Sequence, residues 1–164
     1  MRFSIVIPAY NEGVHIERVV RDTHNELEKV ESDFEIVVVD NGSSDNTQAV
    51  LGALQREIPR LLVERVFPNR GYGGGILAGL SVAHGDILGW TDGDGQVRAD
   101  DLAGMYKKMT QDELLNLDFL NDPAKGEVEK NIHFAKMDMN QLTLPDRSFA
   151  IVASDYTLNF EDNI

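Results

Sequence analysis

The sequence predicts an open, mostly parallel α/β sheet flanked by helices. Three observations predict it. Short apolar, β-branched runs alternate with segments of helical periodicity. The runs are apolar throughout rather than alternating, as expected when helices cover both faces of a parallel sheet. Acidic residues also stand at or just past the carboxyl ends of those runs, where open parallel sheets bind ligands.

The elements follow in order. Phe3 to Ile7 reads as a buried strand bounded by Pro8. Val14 to Val30 reads as a helix, with Val19, Val20, Thr23, Leu27 and Val30 on one face. Glu35 to Val39 is a second strand. The polar run Asn41 to Asn46 is a loop, and Ser44 or Asp45 can cap a helix that runs through Leu54. Leu61 to Phe67 is a third strand. Asn69 to Gly75 reads as a glycine-rich loop before a helix from Ile76 to Ala83, and Ile87 to Thr91 is the fourth strand. After about Met109 the character changes: Asp122 to Gly126 reads as a turn or linker, and Phe149 to Ser154 as a further strand. The expected organisation is a ligand-binding unit over residues 1–110. An atypical tail over 111–164 either completes the sheet or forms a separate fragment.

Composition narrows the function. A chain of 164 residues can bury one core, and 42% apolar with 26% charged residues is ordinary for a globular protein. A net charge of −13 argues against nucleic acid as partner. Without cysteine there is no disulfide framework and no thiolate metal site, which favours a reducing compartment. The first apolar run is cut by Pro8, against a signal peptide. No stretch approaches the roughly 20 apolar residues that span a bilayer. The expectation is a cytoplasmic protein, with peripheral contact at a membrane left open.

Asp92-Gly93-Asp94-Gly95-Gln96, at the end of the fourth strand, is the most informative motif. Asp92 and Asp94 offer hard oxygens suited to Mg²⁺ or Mn²⁺, which keep open positions for phosphates. Gln96 can add an amide oxygen. The competing reading is a plain Asp-Gly turn. A calcium loop is excluded by Gln96, by Val97 and by Ala103 at the twelfth position. Asp40 ends a buried strand, where a carboxylate can bind a ribose hydroxyl or a base edge, or else brace the loop. In Pro8-Ala9-Tyr10-Asn11-Glu12, Tyr10 offers a ring and Glu12 an acceptor to a nucleobase; the alternative is a strand-to-helix turn. Arg70 to Gly75 lacks both the Gly-Lys-Ser/Thr ending of a triphosphate loop and the dinucleotide fingerprint. His15, His24, His84 and His133 show no metal-ligand spacing and read as surface or helix positions.

Taken together, four motifs resemble glycosyltransferase family 2, most closely its dolichyl- or polyprenyl-phosphate sugar transferases. They are Ile7 to Glu12, Val39 to Asp45, Asn69 to Gly73 and Thr91 to Gln96, within about Arg2 to Met109. The resemblance implies the Rossmann-like GT-A fold, a nucleotide-diphosphate sugar donor, a Mg²⁺ or Mn²⁺ ion, and transfer with inversion. It places Pro8, Tyr10, Glu12 and Asp40 around the nucleoside. It assigns Asp92, Gly93, Asp94 and Gln96 to the metal-and-diphosphate motif, where the family more often has alanine at Gly93. A polyprenyl-phosphate acceptor at a membrane surface is one implied partner, and being already anionic it needs no general base. The acceptor-binding half of the family finds no match; Glu161-Asp162 is a weak echo of its acidic pair. No catalytic residue is therefore assigned. The competing expectation is a nucleotide-sugar-binding fragment without turnover. Residues 138 to 154 also resemble the middle of a class I methyltransferase, but that family's first strand with its glycine-rich turn does not precede them, so a truncated or fused reading frame, or chance, is the expected explanation.

Overall fold

The computed structural model describes residues 3–111 and 149–152. In chain order the elements are β1 (Phe3–Ala9), α1 (Ile16–Glu28), β2 (Phe34–Asn41), α2 (Thr47–Glu57), β3 (Leu61–Val66), α3 (Gly71–Val82), β4 (Ile87–Trp90), α4 (Ala99–Gln111) and β5 (Phe149–Val152). The five strands form one sheet in the order β3-β2-β1-β4-β5, and every pairing is parallel. The order turns back on itself between β1 and β4, which opens a crevice at their carboxyl ends. The GT-A fold is the arrangement expected from the sequence.

The period-two pleat divides the strand residues between two layers. Phe3, Ile5 and Ile7 of β1 and Ile36 and Val38 of β2 face α1, α2 and α4. Val6, Val37, Val39 and Trp90 face α3. Each such aliphatic side chain, fully buried, contributes about 1.5–3 kcal/mol. α4 joins the first layer through Leu102, Ala103 and Tyr106, whose ring stacks on Phe3 at 4.5 Å.

Of the boundaries that differ from the sequence reading, three have a clear physical reason. α1 begins at Ile16, two residues later than expected, because Asn11 and Gly13 are bound into a turn and Val14 is left 85% exposed. α2 begins at Thr47 after Asn46. Asp45 acts one residue early, accepting the Thr47 amide at 2.9 Å and the Thr47 hydroxyl at 2.5 Å. The largest correction concerns residues 71–75, which are the first turns of α3 and not a loop. Their glycines bring the helix against the sheet. A Cβ on Gly75 would meet Pro8 Cβ at 3.2 Å, and one on Gly79 would meet Val6 Cγ1 at 2.3 Å. Packing at that distance overrides the weak helix propensity of glycine. α4 was not anticipated at all. The linker at Asp122 to Gly126, most of the methyltransferase-like stretch, His133 and Glu161-Asp162 lie outside the described residues.

Candidate functional site

The crevice is built from the ends of three neighbouring strands. Ala9 pairs with Asp40, so β1 and β2 finish together. β4 ends lower, with Trp90 opposite Val6, and the Thr91 amide adds one more ladder bond to the Val6 carbonyl at 2.9 Å. Two residues later Gly93 lies on the end of β1, where a Cβ would stand 2.8 Å from the Pro8 carbonyl oxygen. Next to it, Asp94 comes close enough to Glu12 for the two carboxylates to repel.

Sequence-expected residues therefore converge. Pro8 is buried at the floor, while the Tyr10 ring is 51% exposed at the rim. Asp40 is 1% exposed; its Oδ1 accepts the Ser43 amide at 3.0 Å. Its Oδ2 has no hydrogen-bond donor among the described residues, and Arg65 Nε stands 3.7 Å away. Asp94 is held by Gln96, whose backbone amide donates to Oδ1 at 2.9 Å and whose side-chain amide donates to Oδ2 at 2.7 Å. Gln96 thus turns its nitrogen, not its oxygen, toward Asp94; an amide ligand oxygen requires the flipped rotamer. Asp92 accepts a hydrogen bond from the Tyr72 hydroxyl, reaching across from α3.

Charge in the crevice is unbalanced. Partial burial pushes the Glu12 carboxyl above its ordinary value; Asp94 and Asp45 push it further and His15 opposes them. Burial likewise raises the Tyr72 phenol, with the Asp92 bond adding to it, so this hydroxyl stays a donor at all physiological pH. No three His, Cys, Asp or Glu side chains gather into a closed metal cage among the described residues. A pair of aspartates beside a repelled glutamate fits a hard cation that shares its shell with a phosphate ligand.

Sequence reasoning missed the residues that hold the loops together. Asn11 adopts φ +59° and its Oδ1 accepts the Ser44 amide at 2.8 Å, while its own amide donates to Ser43 Oγ at 3.0 Å. The Gly13 amide donates to Asp45 Oδ2 at 3.0 Å. Asn41 does the same for the next loop: its Nδ2 donates to the Gly71 carbonyl at 2.7 Å and its Oδ1 accepts the Arg70 amide at 3.0 Å. The available signal was asparagine at strand ends, which favours such side-chain-to-backbone bonding. His84 is exposed, as its surface reading expects, and its Nδ1 lies 3.2 Å from the buried Glu35 carboxylate.

Comparison with known proteins agrees with this fold. Residues 4–150 match the family described as Glycosyl transferase family 2. The chain belongs to glycosyltransferase family 2. Within the family it is 36% identical over 113 residues to the undecaprenyl-phosphate 4-deoxy-4-formamido-L-arabinose transferase of Sodalis glossinidius, covering 68% of this chain and 34% of that one. It is 32% identical over 111 residues to a dolichyl-phosphate beta-glucosyltransferase of Trichomonas vaginalis, covering 65% and 34%. Among solved structures, the mannosyltransferase of Pyrobaculum calidifontis in complex with GDP-Man and Mn²⁺ superposes with a TM-score of 0.59 at 28% identity, over 67% of this chain and 32% of that one. TarS of S. aureus gives 0.53 at 26% identity, over 68% and 33%. This family 2 chain spans about a third of the length of such relatives. No helix among its described residues is long and apolar enough to cross a membrane.

Proposed function

We propose that residues 1–110 form the donor half of a metal-dependent glycosyltransferase. They bind a nucleotide-diphosphate sugar whose sugar is transferred, with inversion, to an acceptor such as a polyprenyl phosphate at a membrane surface. The observation that carries this reading is the meeting of Glu12, Asp40, Asp92 and Asp94 at one sheet edge, although they come from three separate strand ends. The Pyrobaculum relative, which holds GDP-Man and Mn²⁺, and relatives named for polyprenyl-phosphate substrates support it.

In this reading Pro8, Tyr10 and Glu12 form one wall of the nucleoside pocket and Asp40 accepts from the nucleoside. Gly93, with no side chain over the Pro8 carbonyl, gives the diphosphate room to approach backbone. Asp92 and Asp94 hold Mg²⁺ or Mn²⁺, with Gln96 orienting Asp94 and able to contribute its oxygen after a flip. The cation supplies charge neutralisation for the departing diphosphate. Tyr72 fixes Asp92 by its hydroxyl. A phosphate acceptor is anionic and reacts without a side-chain base; no such base is assigned.

Titration of the full chain with UDP-, GDP- and dTDP-sugars, with Mn²⁺ and with chelator, tests this. One nucleotide should bind with metal and lose most of its affinity without it. Asp94→Ala should weaken that binding at least about tenfold, roughly 1.4 kcal/mol. Intact metal-dependent binding in Asp94→Ala would remove Asp94 from the ligand set. The alternative reading is donor binding without turnover. Sugar release or transfer in the presence of a polyprenyl phosphate separates the two.

A further inference from the structure

We propose that the outer face of α3 and the turn leading into it form a docking surface for a lipid bilayer with anionic headgroups. The inference deepens the polyprenyl-phosphate reading and rests on it for its purpose, since the contact brings the mouth of the crevice to the surface where such an acceptor lies.

Charge is separated along the chain. Acids make up 28 of 164 residues, yet none falls between Glu64 and Asp86. The same stretch holds Arg65 and Arg70. α1, α2 and α4 all carry charged residues, whereas α3 has none. A helix without charge is ordinarily covered on every side. α3 is covered on one: Gly75, Ile76, Gly79 and Leu80 are buried, while Tyr72, Leu77 and Ser81 are exposed. Five large apolar side chains are exposed among the described residues, and three belong to this stretch: Phe67 at 77%, Tyr72 at 38% and Leu77 at 41%. The whole connection from Phe67 to Tyr72 is exposed. Within it the Arg70 guanidinium makes no hydrogen bond or ion pair among the described residues. Arg65 differs, because it lies 3.7 Å from Asp40, which offsets its charge.

Aromatic rings beside an unpaired cation suit the boundary between acyl chains and headgroups. An anionic surface attracts this one patch and repels the rest of a chain whose net charge is −13. That contrast sets the orientation. The patch also borders the crevice: the Tyr72 hydroxyl binds Asp92, and Asn41 at the end of β2 holds the Arg70 amide at 3.0 Å. A phosphate at headgroup level then lies next to the Asp92 motif while its hydrocarbon tail stays in the bilayer.

Flotation of the full-length chain with vesicles of phosphatidylcholine, with and without phosphatidylglycerol, tests this in chelator and without nucleotide. The chain should float with the anionic vesicles, bind neutral ones at least about fivefold less, and detach as salt is added. Phe67→Ser should lower the partition coefficient at least about tenfold and Leu77→Ser about threefold. Arg70→Gln should lower it about fivefold. Phe67→Trp should keep binding and shift its emission to the blue on contact with vesicles. Val14 is the control: it is 85% exposed but stands between Glu12 and Glu17, so Val14→Ser should leave partition unchanged. A wild-type chain that melts cooperatively, binds nucleotide with metal and does not float would overturn the surface and leave the donor site standing. Equal partition of wild type, Phe67→Ser and Leu77→Ser would do the same. A lipid-free dimer that Phe67→Ser splits would give the face to a second copy of this chain instead. Flotation with no binding of any nucleotide would strike the donor reading alone. The wild-type arm needs no variant and decides the matter even where a substitution unfolds the chain.

Discussion

At the scale of single residues, Glu12 shows how the crevice is tuned. Its carboxyl is raised by partial burial first, then by Asp94 and Asp45. An acid with a raised pKa in the fold favours the neutral form, so its contribution to stability is present below its ordinary pKa near 4.5 and is lost as pH rises through the raised value. Glu12→Gln should therefore raise the melting temperature of the metal-free protein at pH 7. The gain, discounted for solvent screening, is a few tenths of a kcal/mol. Below about pH 4 the difference should vanish, and melting curves at both pH values with chelator check it. Asn11 makes a second case. Asn11→Gly keeps the positive φ accessible and deletes the side-chain bonds to Ser44 and Asp45, so denaturant unfolding should show a loss of about 1 kcal/mol for the bonds, to which the greater unfolded-state freedom of glycine adds. Gly93→Ala introduces a methyl 2.8 Å from the Pro8 carbonyl. It should lower nucleotide affinity as well as stability, although alanine is common at this place in the family that the sequence resembles.

At the scale of elements, α3 carries the main lesson. A run of four glycines in five residues reads as a loop from propensity, since each glycine costs about 1 kcal/mol in a helix. What the sequence does not display is the sheet surface only a Cβ-free helix can approach. Two substitutions separate propensity from packing. Gly79→Ala should destabilise by about 1–3 kcal/mol, because its methyl falls 2.3 Å from Val6 Cγ1 and 2.9 Å from Val39 Cγ2. Gly52→Ala in α2, where no atom lies within 4 Å of the added carbon, should stabilise by about 0.4–1 kcal/mol. Chemical denaturation of both variants gives opposite signs if close helix–sheet contact sets α3. The four strands and α1 were legible because their apolar patterns are local. The loop bonds of Asn11 and Asn41 were not, since their partners lie 28 to 34 residues away.

For the whole molecule, sheet order decides where stability and chemistry lie. β1 is central, paired on both sides by β2 and β4, and each of its residues is buried. Amide hydrogen exchange should be slowest on β1 and β2 and faster on the edge strand β3, whose middle is only half-buried. Equal protection across β1 and β3 would contradict that hierarchy. The alternation of strands and helices made the fold class readable, and the acidic residues at strand ends made the crevice readable. Their convergence depends on register: Ala9 with Asp40 and Val6 with Trp90. Pairing of that kind leaves no trace within any single segment, so the site could be named from sequence but not assembled from it.

Trp90 ends β4 two residues before Asp92, is 1% exposed, and is the single tryptophan of the chain. The protein thus carries its own optical label at the foot of the crevice, with the Tyr72 phenol above it touching Asp92. Its fluorescence reports on one place rather than on an average over many. Rapid mixing with metal and nucleotide, with no dye and no engineered cysteine, is a direct test of the proposed donor site and of its order of binding.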